Sequence, residues 1–123
     1  MEKKLLIVED DSDIIDIIHN AVSSLFDQTD RASTLDEALK LLSQNTYSLI
    51  FLDYNLEFRS GTEIISALDK STNIQNRNTP IVLVSGMVTP ELTGEFPGRF
   101  TKVITKPFED ADLIEVANKI LSK

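Results

Sequence analysis

Cysteine and tryptophan are absent from these 123 residues, and glycine and proline are scarce at four each. Without cysteine the chain can build neither a disulfide framework nor a thiolate metal site, which is consistent with a reducing compartment. No apolar run approaches the ~18 residues of a membrane-spanning helix. The opening Met1-Glu2-Lys3-Lys4 leads into an apolar run that meets acids directly after Val8, too early for a secretory signal. Positive charge is in short supply as well. Lys and Arg number 12 against 20 Asp and Glu, a formal net charge of -8. That balance disfavours non-specific binding to nucleic acid or to an anionic membrane, and suits cations and basic partner surfaces. The length fits one domain able to bury a core without staples.

What is present alternates between short apolar runs and helical periodicity. Residues 5–8 (LLIV) read as a buried strand, followed by the acids Glu9, Asp10 and Asp11. Ile14, Ile18, Val22 and Leu25 then recur at helical spacing, with Ile15, Ile17 and Phe26 widening the stripe and Ser12 or Asp13 as the expected N-cap. Residues 29–33 are a candidate short strand. Thr34 to Glu37 has the capping-box form, and Leu35, Ala38, Leu39 and Leu42 share one helical face. Residues 49–52 are a second buried run, ended by Asp53. Gly61 opens a helical pattern through Ile64, Ile65 and Leu68. Residues 80–85 form an apolar strand ending in Ser85, and Val103-Ile104 a shorter one ending at Lys106-Pro107. The last helical pattern is the cleanest, with Leu113, Val116, Ala117, Ile120 and Leu121 on one face.

Such alternation predicts a parallel sheet with helices on both faces. Right-handed crossovers place every strand C-terminus along one edge, where ligands of such sheets bind. That edge collects Glu9, Asp10, Asp11, Asp53, Ser85 and Lys106. Clustered carboxylates raise one another's pKa unless a cation neutralises them. Carboxylate oxygens, together with water and phosphate oxygens, are the ligand set of Mg2+. A carboxylate can also attack a phosphoryl group to give an aspartyl phosphate. The charge that develops then calls for a metal, an ammonium and a hydroxyl donor. Asp53, alone on a central strand, is the candidate nucleophile. Taken singly, each feature has a plainer explanation: the acids favour a helix N-terminus, Lys106 is a surface lysine, and Ser85-Gly86 is a turn. Their positions at matching strand ends favour the site.

The motifs I-V-E-D-D (7–11), F-L-D-Y-N-L (51–56) followed by Gly61, V-L-V-S-G (82–86) and K-P-F (106–108) each follow their own strand. Together they resemble the response-regulator receiver domain of bacterial two-component signalling. The resemblance implies an α/β fold with a doubly wound five-stranded parallel sheet in the flavodoxin-like order 2-1-3-4-5. It implies a single receiver domain over residues 1–123 with no effector domain. Asp53 would accept a phosphoryl group from the phosphohistidine of a sensor histidine kinase or a histidine phosphotransfer protein. Mg2+ would be held by Asp10 directly, by Glu9 through water, by Asp53 and by the main-chain carbonyl of Asn55. The Ser85 hydroxyl and the Lys106 ammonium would meet the phosphoryl oxygens. Asp11 would cap a helix or support the ligands. Lys106-Pro107 would be a cis bond, as in many relatives. Output would pass to an unnamed downstream protein by contact or phosphorelay, in the cytoplasm, without nucleic acid, membrane or enzymatic turnover.

Some positions depart from the family pattern. Val103 stands where relatives carry Tyr or Phe as a switch, and a valine is small and stiff at χ1; Phe100 is close in sequence but off the position. In the segment 86–101 (GMVTPELTGEFPGRFT), Thr89 and Pro90 could open a helix that Gly94, Pro97 and Gly98 stop at once. The helix between strands 4 and 5 is therefore expected to be short or missing. Glu57 replaces a common proline. In relatives the side chains at the positions of Asn55 and Met87 tune loss of the phosphoryl group, and Met87, which cannot orient an attacking water, predicts slow loss here. These departures keep open an alternative, a pseudo-receiver that does not switch. A phosphatase of the haloacid-dehalogenase type would need an acid where Asn55 stands. His19, the lone histidine, reads as a helix-surface residue, and Phe108 as an anchor for the last helix.

Overall fold

The computed structural model describes residues 2–53, 55–56, 59–60, 66, 76, 78–86 and 100–122, with the side chains of 55, 56, 59, 60 and 85 left aside. The expectations for Glu57, the helical pattern on Gly61, Ile64, Ile65 and Leu68, Met87 and the short or missing helix after Ser85 lie outside the described residues.

Strand β1 (Lys4–Val8) leads to helix α1 (Ser12–Val22), a 3-10 turn (Ser23–Leu25), β2 (Gln28–Ala32), α2 (Leu35–Gln44) and β3 (Leu49–Asp53). Two short strands follow, β4 (Asn55–Leu56) and β5 (Arg59–Ser60), then β6 (Ile81–Ser85), β7 (Lys102–Thr105) and α3 (Asp110–Leu121). The five long strands lie in the order β2-β1-β3-β6-β7, and every pair among them is parallel. This is the expected 2-1-3-4-5 order. β4 and β5 form a separate antiparallel pair.

The apolar runs are continuous because both faces of the sheet are covered. Successive side chains of a strand point to opposite faces. Leu6 and Val8 accordingly join Ala32, Leu35, Ala38, Leu42, Leu52 and Leu83 on the α2 face. Leu5 and Ile7 join Ile15, Ile18, Val22, Leu113, Val116 and Ala117 on the face covered by α1 and α3. Ile17 departs from the expected stripe and is 42% exposed. With Ile15, Ile18 and Val22 facing the sheet, helical geometry turns position 17 outward.

The helix ends correct two readings. Neither Ser12 nor Asp13 caps α1. Asp11 does, in extended conformation, its carboxylate accepting from the Asp13 N–H at 2.9 Å. At α2 the expected cap holds: Thr34 Oγ1 accepts from the Glu37 N–H at 3.1 Å. Ser33 already serves that cap, donating to Glu37 Oε1 at 3.0 Å, and β2 accordingly ends at Ala32. A second capping box, Glu109 with Asp112, opens α3.

The amino-terminal pole of the sheet is tied by a buried polar group absent from the sequence reading. Asn76 is fully buried. Its amide donates to the carbonyls of Leu42, at 2.8 Å, and Asn45. Its oxygen accepts from the Tyr47 N–H at 2.9 Å and from Thr79 Oγ1 at 3.2 Å. The Tyr47 hydroxyl donates to Asp30 at 2.6 Å; burial, then the Asp30 carboxylate, push that phenol well above its ordinary pKa.

Candidate functional site

The site is set by where four strands stop. Val8 of β1 is level with Leu52 of β3, so Glu9, one step past β1, stands beside Asp53. The Glu9 N–H donates to Ala32 O at 3.0 Å and carries the ladder that step further. Asp53 ends β3 level with Val84, and Ser85 ends β6 level with Thr105. Lys106 follows immediately. The topology thus brings together residues from the start, middle and end of the chain at the carboxyl edge.

Three carboxylates converge there. Ligand oxygens of Glu9, Asp10 and Asp53 all lie within 4.8 Å of one another. Glu9 is 2% exposed and Asp53 6%, while Asp10 faces solvent. The Lys106 ammonium lies 3.3 Å from Glu9 Oε2 and 3.6 Å from Asp53 Oδ1. The other Glu9 oxygen accepts from the Asp11 N–H at 3.3 Å. Burial pushes the Glu9 carboxyl up to about 7, and the Asp53 charge adds to that rise; Lys106 and the Asp11 N–H pull it back.

The chemistry of this donor set fits a hard divalent cation. Among the described residues, three clustered acids face the Lys106 ammonium, and carboxylates gathered this closely favour a cation among them. All the donors are oxygens, and the exposed Asp10 leaves room for ligating water, as Mg2+ requires. Asp53 and Lys106 are close enough for the lysine to pair with a group carried on the aspartate.

The remaining sequence-derived residues fall as follows. Ser85 has its backbone at the site edge, with its side chain outside the description. Asn55 opens β4, just past the strand that carries Asp53. The Lys106-Pro107 bond is cis, as expected. Phe108 is half-buried against the α1–α3 core, and His19 is half-buried on α1. Val103 is half-buried on the α2 face, level with Leu83. Phe100 packs on that face too, but Thr101 N–H reaches Ile81 O at 2.9 Å. That places Phe100 by the start of β6. At ~3.3 Å per residue, the length of β6 separates it from Ser85, roughly 13 Å. The sequence reading missed the contacts of Glu9 with Lys106 and with the Asp11 N–H. Strand ends placed these groups on one edge, but no sequence signal says which acid the lysine holds.

Fold and site define a doubly wound α/β protein presenting an acidic cluster and one lysine at its carboxyl edge. The chain matches the family model of the response regulator receiver domain over residues 5–118 and belongs to that family. It is 28% identical over 99 residues to the sensory transduction protein LytR of Staphylococcus epidermidis, an alignment covering 80% of this chain and 37% of LytR. It therefore spans well under half the length of that relative. The receiver domain of the Francisella response regulator 1452 superposes with a TM-score of 0.80 at 28% identity, covering 98% of this chain and 97% of that one. The receiver domain of the sensor histidine kinase PA1611 of Pseudomonas aeruginosa, described with a magnesium ion coordinated in its active site cleft, gives a TM-score of 0.82 at 17% identity, with both chains covered at 100%. That last likeness concerns the fold.

Proposed function

We propose that this domain is a phosphoryl-accepting signalling module in which Asp53 takes a phosphoryl group from a phosphohistidine. The observation that carries this reading is the Lys106 ammonium lying 3.6 Å from Asp53 Oδ1, with oxygens of Glu9 and Asp10 clustered alongside. In the step itself an Asp53 oxygen forms the new P–O bond as the P–N bond to the donor imidazole breaks, and the imidazole leaves with the bonding pair. Lys106 is placed to meet the phosphoryl oxygens as their charge grows. Ser85, at the end of the next strand, would supply the hydroxyl. Glu9, Asp10, Asp53 and the Asn55 carbonyl would hold Mg2+, which neutralises acids and phosphoryl oxygens alike when bound. The donor would be a sensor histidine kinase or a histidine phosphotransfer protein, and output would pass by protein contact or phosphorelay. The domain takes part in its own phosphorylation and is not a turnover enzyme. A cytoplasmic setting suits such partners; among the described residues no helix is long and apolar enough to cross a membrane.

Incubation with a small acyl phosphate and Mg2+, followed by intact mass measurement, tests this. One labile phosphoryl adduct should form and be lost in Asp53→Ala and on chelation of the metal. A folded protein that takes no adduct overturns the proposal.

A second reading, a module that binds the metal and a partner without switching, rests on Val103. Among the described residues no aromatic ring lies at that level of β7, and Phe100 sits by the start of β6. Beryllofluoride with Mg2+ separates the two: amide shifts confined to the acid cluster favour the second reading, and shifts spreading along β6 and β7 favour the first.

A further inference from the structure

Of the two edge strands of the large sheet, β2 is guarded and β7 is open. β2 carries charge in mid-strand: Arg31 is held by Asp16 at 3.0 Å, and Asp30 accepts the Tyr47 hydroxyl. Such charges blunt an edge. β7 reads K-V-I-T, with three β-branched residues in a row and no charge past Lys102. Its main chain faces outward at alternate residues. Ile50 is level with Ile81 and its N–H donates to Pro80 O at 3.0 Å. Val82 and Val84 therefore turn their main-chain groups to β3, and Leu83 turns its own to β7. Leu83 is level with Val103, so it bonds Lys102 and Ile104, and the N–H and C=O of Val103 and Thr105 point to the open side. Beside that edge lies a groove of about 400 Å3 between β7 and α3, with Ile104, Val116 and Ile120 within it and Asp112, Glu115 and Lys119 along it. α3 opens at the carboxyl edge and runs back over the sheet, so Asp112 and Glu115 flank the end of β7 and Lys119 its start. Lys102 is exposed and makes no ion pair among the described residues.

We propose that β7 pairs with the β7 of a second copy of this chain, antiparallel about a two-fold axis between the two Val103 residues, so that the two sheets become one. Such an axis sets outward-facing residues opposite each other. Val103 exchanges both main-chain bonds with Val103 of the second copy, and Thr105 stands opposite its Thr101. Lys102 of each copy stands opposite Ile104 of the other, over the groove and beside Asp112 and Glu115. The strand thus carries its one cation to the acidic half of the facing groove. A strand laid parallel would set Lys102 against Lys119 instead, so charge selects the antiparallel copy. The pairing uses no atom of the acid cluster and does not rest on the proposed function.

Sedimentation equilibrium of the full chain, free of metal and phosphodonor, should show a monomer–dimer equilibrium. Isotope-filtered NOE spectra of a mixed labelled and unlabelled sample should connect the α-proton of Lys102 in one copy with that of Ile104 in the other. Lys102→Glu sets an acid against acids at two places in the dimer. It should weaken association about tenfold and leave the urea midpoint near wild type, since Lys102 is exposed. Adding Glu115→Lys to it should restore association. Protein that stays monomeric up to its solubility limit overturns the proposal. So does a dimer that Lys102→Glu leaves unchanged, or one without the contact between Lys102 and Ile104.

Discussion

At the scale of single residues, Glu9 carries the perturbed carboxyl of the site. Burial and the neighbouring Asp53 hold its carboxyl at about 7 in the fold, against 4.5 ordinarily. A carboxyl whose folded pKa is raised favours the fold when protonated. Its contribution is fully present below 4.5 and is lost as pH rises through 7. Urea unfolding in chelator should therefore show stability declining across that window, with a shallower decline in Glu9→Gln. Equal slopes in the two proteins would refute the assignment. Exposure makes a second residue-scale contrast on α1. Ile18, fully enclosed, should cost roughly 2–5 kcal/mol on truncation to Ala. Ile17→Lys should stay within about 0.5 kcal/mol of wild type. Chemical denaturation of the two variants tests both.

At the scale of elements, caps and the polar tie at the amino-terminal pole decide how the helices seat. Thr34→Ala removes the acceptor for the Glu37 N–H and should cost about 1 kcal/mol. Asn76 is more demanding, because it joins the end of α2, the entry to β3 and the turn before β6. Its loss leaves buried carbonyls and an N–H without that partner, at roughly 1–3 kcal/mol for each group stranded. Asn76→Ala should destabilise strongly, and Asn76→Asp should not rescue it, since a carboxylate cannot donate to Leu42 and Asn45. Cation affinity should stay near wild type, because the acids lie at the opposite pole. A stable Asn76→Ala protein, judged by urea midpoint, would contradict this account of the turn.

For the molecule as a whole, the balance of charge and burial links metal to stability. A cation that binds the native acids but not the unfolded chain raises stability with its concentration. The melting temperature should climb with Mg2+ in wild type and respond much less in Asp10→Asn, as differential scanning fluorimetry would show. A response equal in both would remove Asp10 from the ligand set.

Much of this architecture was legible in the sequence. The runs 5–8, 49–52 and 80–85 read as strands buried on both faces, and their terminal acids and hydroxyl marked the working edge. The amphipathic stripe of α3 and the Thr34 cap were equally plain, since local periodicity and capping chemistry act over a few residues. Asp11 caps α1, the first of the two roles the resemblance offered it, and not Ser12 or Asp13, because several polar residues in a row all suit a helix start and only the chain's entry angle selects one. Asn76 was silent because its partners lie distant in sequence.

The sequence by itself determined the parallel sheet and the identity of the groups at its carboxyl edge, because strand burial, crossover handedness and side-chain chemistry are encoded locally; the order of the strands came from the resemblance of its motifs to the receiver family. Only the tertiary structure decided that Lys106 holds Glu9 more closely than Asp53, that Phe100 lies at the wrong end of the sheet to stand in for Val103, and that Asn76 locks the far pole. Those are distances between segments, fixed by packing the two faces of one sheet, and no single stretch of the chain carries them.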